Sequence, residues 1–324
     1  MSKHWRLDYQ GEHALLTLDV EGQSANVLSQ DVLREFERHL EELESKMLEG
    51  IVIRSGKTSG FIAGADVREF EKITESERAT ELAQLGQQVL SRLADLPFPS
   101  VAVIHGFCLG GGMELALACT YRIARDDPGT RLGLPEVRLG IHPGFAGTLR
   151  LPPLVGDFAA LDMMLTGRTL SAREARRRGL VDGIAPERHL LNAAMSFLKK
   201  APPRHQAPWY RRVPTWKLPR SWVVTLMAAR VRRKAHPDHY PAPWRILNLW
   251  HDRANAYDEA ESLGELLVSR TSRNLVHVFL LGEALKRHGR ARAHDVEHVH
   301  VVGAGVMGAD IAIWAERRSG RMFG

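Results

Sequence analysis

The sequence predicts an α/β fold with parallel strand pairing. Over the first two hundred residues, short apolar runs of strand type alternate with longer stretches of helical periodicity. Turn and stop residues fall at the joints: Pro97 and Pro99 close one helical stretch, and Gly179 closes another.

The elements follow in order. ALLTLDV (14–20) reads as a strand, and SQDVLREFERHLEELESK (29–46) as a helix with Ser29 as N-cap. IVIRSG (51–56) is a strand. The stretch 74–96 is a helix opened by Thr74, with Glu77 in capping-box spacing. SVAVIHG (100–106) is a strand of buried type, followed by a glycine turn and an apolar helix through Cys119. TYRIAR (120–125) is a strand, SAREARRRG (171–179) a capped helix and LVDGIA (180–185) a short strand.

The stretch 201–245, dense in proline and tryptophan, reads as an extended, irregular cover. From Arg245 to about His288 the pattern is helical. Leu263, Leu266, Leu267, Val268, Leu275, Val276, Phe279 and Leu280 form stripes expected to pack on the first domain. HVHVVGAGVMGADIAIWAERR (298–318) reads as a strand, a glycine turn and the start of a helix. The expected organisation is a core at 1–190, a covering and linker segment at 191–295, and a short βα piece at 296–324.

Composition narrows the class. No apolar run approaches the roughly 20 residues that span a bilayer, and the polar N-terminus lacks a signal core, so the expectation is a cytoplasmic protein without membrane insertion. Cys108 and Cys119 form no CxxC pair and read as reduced core thiols. The net charge of +6 suits a polyanionic ligand. The basic clusters lack the interleaved aromatics of a nucleic-acid module, so nucleic acid is not expected. No histidine, His105 and His142 included, has metal-ligand spacing, and no metal site is expected.

Three elements carry candidate chemistry. Gly110-Gly111-Gly112-Met113-Glu114 follows a strand and opens a helix, so unpaired N–H groups face whatever occupies the turn, with a carboxylate in the first helical turn. Phe61-Ile62-Ala63-Gly64-Ala65-Asp66 again exposes backbone amides beside small residues. Leu134-Pro135-Glu136 places a second carboxylate beside a proline that restrains its backbone. Two carboxyls whose proton affinities are split can divide acid and base roles.

In this order and spacing, GFIAGAD, HGFCLGGGMELALAC and GLPEVRLGIHPGFAGTLRLP resemble the signature blocks of the crotonase, or enoyl-CoA hydratase/isomerase, family over roughly residues 10–190. The resemblance implies a spiral of ββα turns and an acyl-CoA substrate whose thioester carbonyl sits between the amides of Ala65 and Gly111. It implies Glu114 and Glu136 as the catalytic pair for adding water to a 2-enoyl-CoA. Ala63, Gly64, Asp66, Arg68 and Gly110 are the implied substrate-binding positions, Arg68 toward a CoA phosphate. No cofactor beyond the CoA of the substrate is implied. Isomerisation of a 3-enoyl-CoA is the alternative within the family, and a non-catalytic chain that binds acyl-CoA or a thiolase partner is the alternative outside enzymes.

Downstream, HYPAP (239–243), a long helix and VVGAGVMG resemble the alpha subunit of the fatty-acid oxidation complex, in which a linker helix leads to a 3-hydroxyacyl-CoA dehydrogenase. This implies a thiolase subunit as candidate partner, and a linker helix that covers the core of a monomer rather than leaving it to form a trimer. Gly303, Gly305 and Gly308 fit the dinucleotide fingerprint, but the sequence ends at Gly324 without the second strand and acidic residue that such a site needs. The expectation is therefore a truncated Rossmann piece that binds no NAD and supports no dehydrogenase activity.

Overall fold

The chain enters the fold through a hairpin of β1 (Trp5–Gln10) and β2 (His13–Leu18), turned at Gly11 with φ +61°. In β1, Trp5, Leu7 and Tyr9 alternate with polar residues, a period-2 strand pattern, although beyond Trp5 the strand is mostly exposed. The computed structural model describes residues 3–213, 217–233, 235–291, 300–303 and 305–319. Its contacts divide the chain into two units, 1–279 and 280–324.

After the hairpin comes α1 (Gln30–Glu44), and then a repeated pass begins. β3 (Gly50–Ser55) and β4 (Gly60–Ile62) lead to α2 (Val67–Phe70) and α3 (Ser76–Ala94). β5 (Ser100–Ile104) and β6 (Phe107–Leu109) lead to α4 (Gly111–Ala118). β7 (Tyr121–Arg125) and β8 (Arg131–Gly133) lead to α5 (Gly147–Val155) and α6 (Asp157–Thr166). β9 (Thr169–Ser171), α7 (Ala172–Arg178), β10 (Gly183–Ala185) and α8 (Glu187–Lys200) complete the core.

The first strand of each pass enters a six-stranded sheet, β1-β2-β3-β5-β7-β10, parallel except for the hairpin. The second enters a four-stranded sheet, β4-β6-β8-β9, parallel except at β9. This is the ββα spiral that the resemblance implies. The three-residue strands of the smaller sheet are too short to show a period in sequence.

Alternation along the inner strands explains the core. Leu16, Leu18, Ile51, Ile53, Ala102 and Ile104 point into the main cluster. Leu15, Val52, Val101, Val103 and Ile123 point to the other face, covered by Leu190, Ala194 and Leu198 of α8. Cys108 and Cys119 are free and buried. Ser29 caps α1 through Val32 N, and Ser171 and Glu174 close a capping box on α7, ended by Gly179 at φ +83°. The expected cap at Thr74 is not formed. Glu75 stays extended and the helix starts at Ser76, so Thr74 and Glu77 do not flank a first turn.

The cover is more helical than the sequence suggests. Part of the expected irregular stretch is α9 (Lys217–Arg232), because Pro219 falls in the first turn, where a missing N–H costs nothing. The single long linker helix expected from 245 to 288 is three helices, α10 (Ala242–Asp252), α11 (Ala256–Leu267) and α12 (Arg270–Ala291). The first break has a local cause: Arg253 adopts φ +56°, and Asn255 and Asp258 form a capping box that restarts the helix. The apolar stripe does pack on the core. Leu266, Leu267 and Val276 are buried, and α11 crosses α3 so closely that a Cβ on Gly264 would lie 2.2 Å from Thr80 Oγ1.

In the second unit, α13 (Val306–Ser319) follows the glycine turn, with Gly303 at φ +111°. The strand expected before that turn is not formed at 300–303, and 298–299 lie outside the described residues. No other strand is described in this unit to pair with it, and an unpaired strand leaves its backbone groups without partners. Among the described residues no helix is long and apolar enough to cross a membrane.

One buried ion pair ties the rim of the large sheet together. Arg122 on β7 meets Asp182 at 2.7 Å, with side chains 2% and 6% exposed, and also donates to the carbonyls of Cys119 and Leu180. Asp182→Ala leaves that guanidinium uncompensated, and urea unfolding should register a loss of about 3–5 kcal/mol.

Candidate active site

β4, β6 and β8 lie side by side and parallel, so their C-terminal ends open onto one edge of the small sheet. Residues 63–66, 110–114 and 134–136 therefore converge, as ligand-binding loops do at the carboxyl ends of parallel strands. Gly110 N donates to Gly133 O at 3.0 Å, fixing the second loop against the third.

Two amides emerge unpaired. Leu28 N donates to Gly64 O and Asp66 N to Leu28 O, a parallel bridge that uses the groups flanking Ala65 and turns the Ala65 N–H the other way. Gly111 opens α4, where an N–H has no acceptor within the helix. Among the described residues neither amide donates to any group. They converge, since a Cβ built on Gly111 would lie 3.5 Å from Ala65 N. Gly110 has φ +51° and ψ −129°, and a Cβ there would press to 3.2 Å from Glu136 Oε1, so the turn requires glycine.

The two carboxyls face the same cavity of about 400 Å³ but in unequal surroundings. Glu114 is 2% exposed, and its Oε1 accepts from Phe145 N at 2.7 Å and Gly147 N at 2.8 Å. Glu136 is half-buried as a residue, yet both its carboxyl oxygens are shut off from solvent without any hydrogen-bond partner. Burial pushes Glu136 up to about 8, and the charge of Glu259 adds to it. Burial also raises Glu114, with the charges of Glu136 and Glu259 adding and its two amide donors opposing.

Ala63, Gly64, Ala65, Gly110, Gly111, Glu114 and Glu136 all line the cavity. Asp66 and Arg68 do not. Arg68 is engaged in a two-pronged pair with Asp66 at 2.7 and 2.8 Å, with Asp66 capping α2. Gly303, Gly305 and Gly308 belong to the other unit.

Several supporting residues come from the cover, where no motif marks them. Glu259 on α11 is fully buried. It accepts from Ala146 N at 2.6 Å, Thr148 N at 3.1 Å, the Thr148 hydroxyl and Gln87 Nε2. Its sequence signal was a carboxylate in line with Leu263 and Leu266, on the buried stripe of its helix. The Tyr240 hydroxyl donates to Val137 O, and Gly140 at φ +72° lets the backbone of Ser272 approach, so the short 3₁₀ turn carrying Glu136 is held from outside. His142 donates from Nδ1 to Pro143 O, which leaves Nε2 to accept from Ser262; burial lowers its pKa to about 4 and keeps the ring neutral. Leu263 and Leu267 of α11 and Phe279 of α12 join Phe70, Ile73 and Leu82 in an apolar part of the cavity wall.

The enoyl-CoA hydratase/isomerase family profile matches residues 12–207. Among solved structures, an enoyl-CoA hydratase from Bacillus anthracis is 26% identical, with 89% of this chain and 97% of that one covered at a TM-score of 0.56. DspI from Pseudomonas aeruginosa is 25% identical, with 90% and 96% covered at 0.56. An enoyl-CoA hydratase from Bacillus halodurans, 18% identical with 85% and 99% covered, shares the fold at a TM-score of 0.63. The chain belongs to the enoyl-CoA hydratase/isomerase, or crotonase, family.

The buried carboxyls have a consequence for stability. A carboxyl whose folded pKa exceeds its unfolded value binds more protons in the folded state, so stability falls as pH rises through that window. For Glu136 the window runs from 4.5 to about 8. Glu136→Gln should therefore raise the thermal midpoint at pH 8 more than at pH 4.5. An equal effect at both would show that Glu136 carries no raised proton affinity.

Proposed function

We propose that this chain adds water across the double bond of a 2-enoyl-CoA thioester. The observation that carries the reading is the unequal pair of buried carboxyls beside two unpaired amides. The thioester oxygen takes the N–H groups of Ala65 and Gly111, which stabilise the enolate that forms as water attacks C3. Two amides on Oε1 favour the carboxylate of Glu114 and leave its other oxygen to take a proton from water. Glu136, without a donor, is held as the neutral acid and gives its proton to C2. The hydroxyl is then on C3 and the proton on C2. Transfer of a proton from Glu114 back to Glu136 restores the starting state.

Isomerisation of a 3-enoyl-CoA needs one group to take a proton at C2 and return it at C4. The presence of two differently solvated carboxyls favours hydration. The chemistry calls for no cofactor beyond the CoA of the substrate. An apolar cavity wall suits an acyl chain. Because α11 and α12 residues of the same chain line that wall, the reading favours a monomer, and a trimer in light scattering would remove that part of it.

Loss of 2-enoyl-CoA absorbance should be followed in parallel with conversion of 3-enoyl-CoA. Hydration should dominate, and Glu114→Gln and Glu136→Gln should each lower its kcat by about 10²–10⁴-fold. Full activity in both variants would sink the mechanism.

A further inference from the structure

Among the described residues, Glu259 is the one fully buried carboxylate in contact with the loops of the site that the reaction above does not use. It lies outside the 12–207 family match and does not line the cavity. What it does is geometric. Four consecutive amides at the start of α5 go alternately to two carboxylates: Phe145 and Gly147 to Glu114, Ala146 and Thr148 to Glu259. Ala146 adopts φ +68° between them. The same loop is held by Gln87 of α3, whose amide reaches Gly144 O at 3.0 Å, Ala256 O at 2.8 Å and Glu259 itself.

A helix N-cap is the plain alternative, because an anion at a helix start satisfies orphan amides. A serine or asparagine would do that without the cost of burying a second charge near Glu114. The interleaving also makes the two carboxylates mechanically dependent. Moving Ala146 or Thr148 moves Phe145 and Gly147, and these are the donors found on Glu114 Oε1.

We infer that Glu259 is a positioning residue acting through Glu114, fixing the loop whose amides set the orientation of the catalytic carboxylate. The inference rests on the hydratase reading. Charge supports it. Glu259 faces Glu114 from α4, Glu136 from its turn and Arg150 from α5, and burial raises Glu259 itself to about 7 against its four donors. Its negative charge raises the proton affinity of Glu114, so removing it moves the acidic limb of the kcat/KM profile to lower pH. Loss of the charge moves that limb whatever the role, so kcat at the pH plateau, with KM unchanged, is the readout that separates positioning from capping.

The test compares Glu259→Gln, Thr148→Val and Thr148→Ser in the full chain with crotonyl-CoA, with folding checked by circular dichroism. Glu259→Gln should lower kcat by about 100-fold, leave KM within about threefold and shift the acidic limb down by about half a pH unit or more. Thr148→Val, which deletes one donor to Glu259, should lower kcat by about tenfold, and Thr148→Ser should restore it. If Glu259→Gln does not fold, the Thr148 pair decides. Wild-type kcat in the folded variants, whether or not the limb moves, overturns the role of Glu259 alone. A wild-type chain that hydrates no enoyl-CoA overturns the hydratase reading and this inference with it.

Discussion

The close approach of three very short parallel strands governs everything else in this molecule. β4, β6 and β8 have three residues each and can hold register only where backbones come nearly into contact. Glycine makes that contact available. A Cβ on Gly60 would lie 2.3 Å from Phe107 N, and one on Gly106 would lie 2.5 Å from Ser59 O. On Gly112 it would lie 2.6 Å from Ile62 O, so α4 too sits directly against β4. Any larger residue would force these strands apart, and the loops at their ends would no longer converge.

The second constraint is electrostatic. Glu114, Glu136 and Glu259 share a poorly solvated region, where each ionised carboxyl is costly and each discourages the others. Donors decide how that cost is distributed. Glu114 has two backbone amides, and Glu259 has two more, a hydroxyl and a side-chain amide; Glu136 has none. This difference in donors is what the proposed division of acid and base roles rests on, because the two catalytic candidates are the same residue type.

The cover acts as part of the site. α11 supplies Glu259 and an apolar wall, and Tyr240 and Ser272 hold the turn bearing Glu136. Loops are poor carriers of precise geometry unless something outside them fixes their rotamers. Here the anchors come from sequence positions more than a hundred residues away, such as Glu259 on Ala146.

The sequence by itself determined the α/β class, the long apolar strands, the caps at Ser29 and Ser171, and the three loops that hold Glu114, Glu136 and the Ala65 and Gly111 amides. Each of these is encoded locally, by periodicity, a capping residue or a glycine turn. It did not determine the small sheet, whose strands are shorter than any detectable period, nor the helix break at Arg253 or the start of α3 at Ser76 rather than after Thr74, which depend on backbone choices made in context. Only the tertiary structure decided that the three loops share one edge, that Arg68 pairs with Asp66 away from the cavity, and that a glutamate on α11 completes the clamp on Glu114. Those contacts join residues distant in the chain, and the physical reason they escape a linear reading is that a carboxylate on an apolar helix stripe has no meaning until the amides it faces are in place.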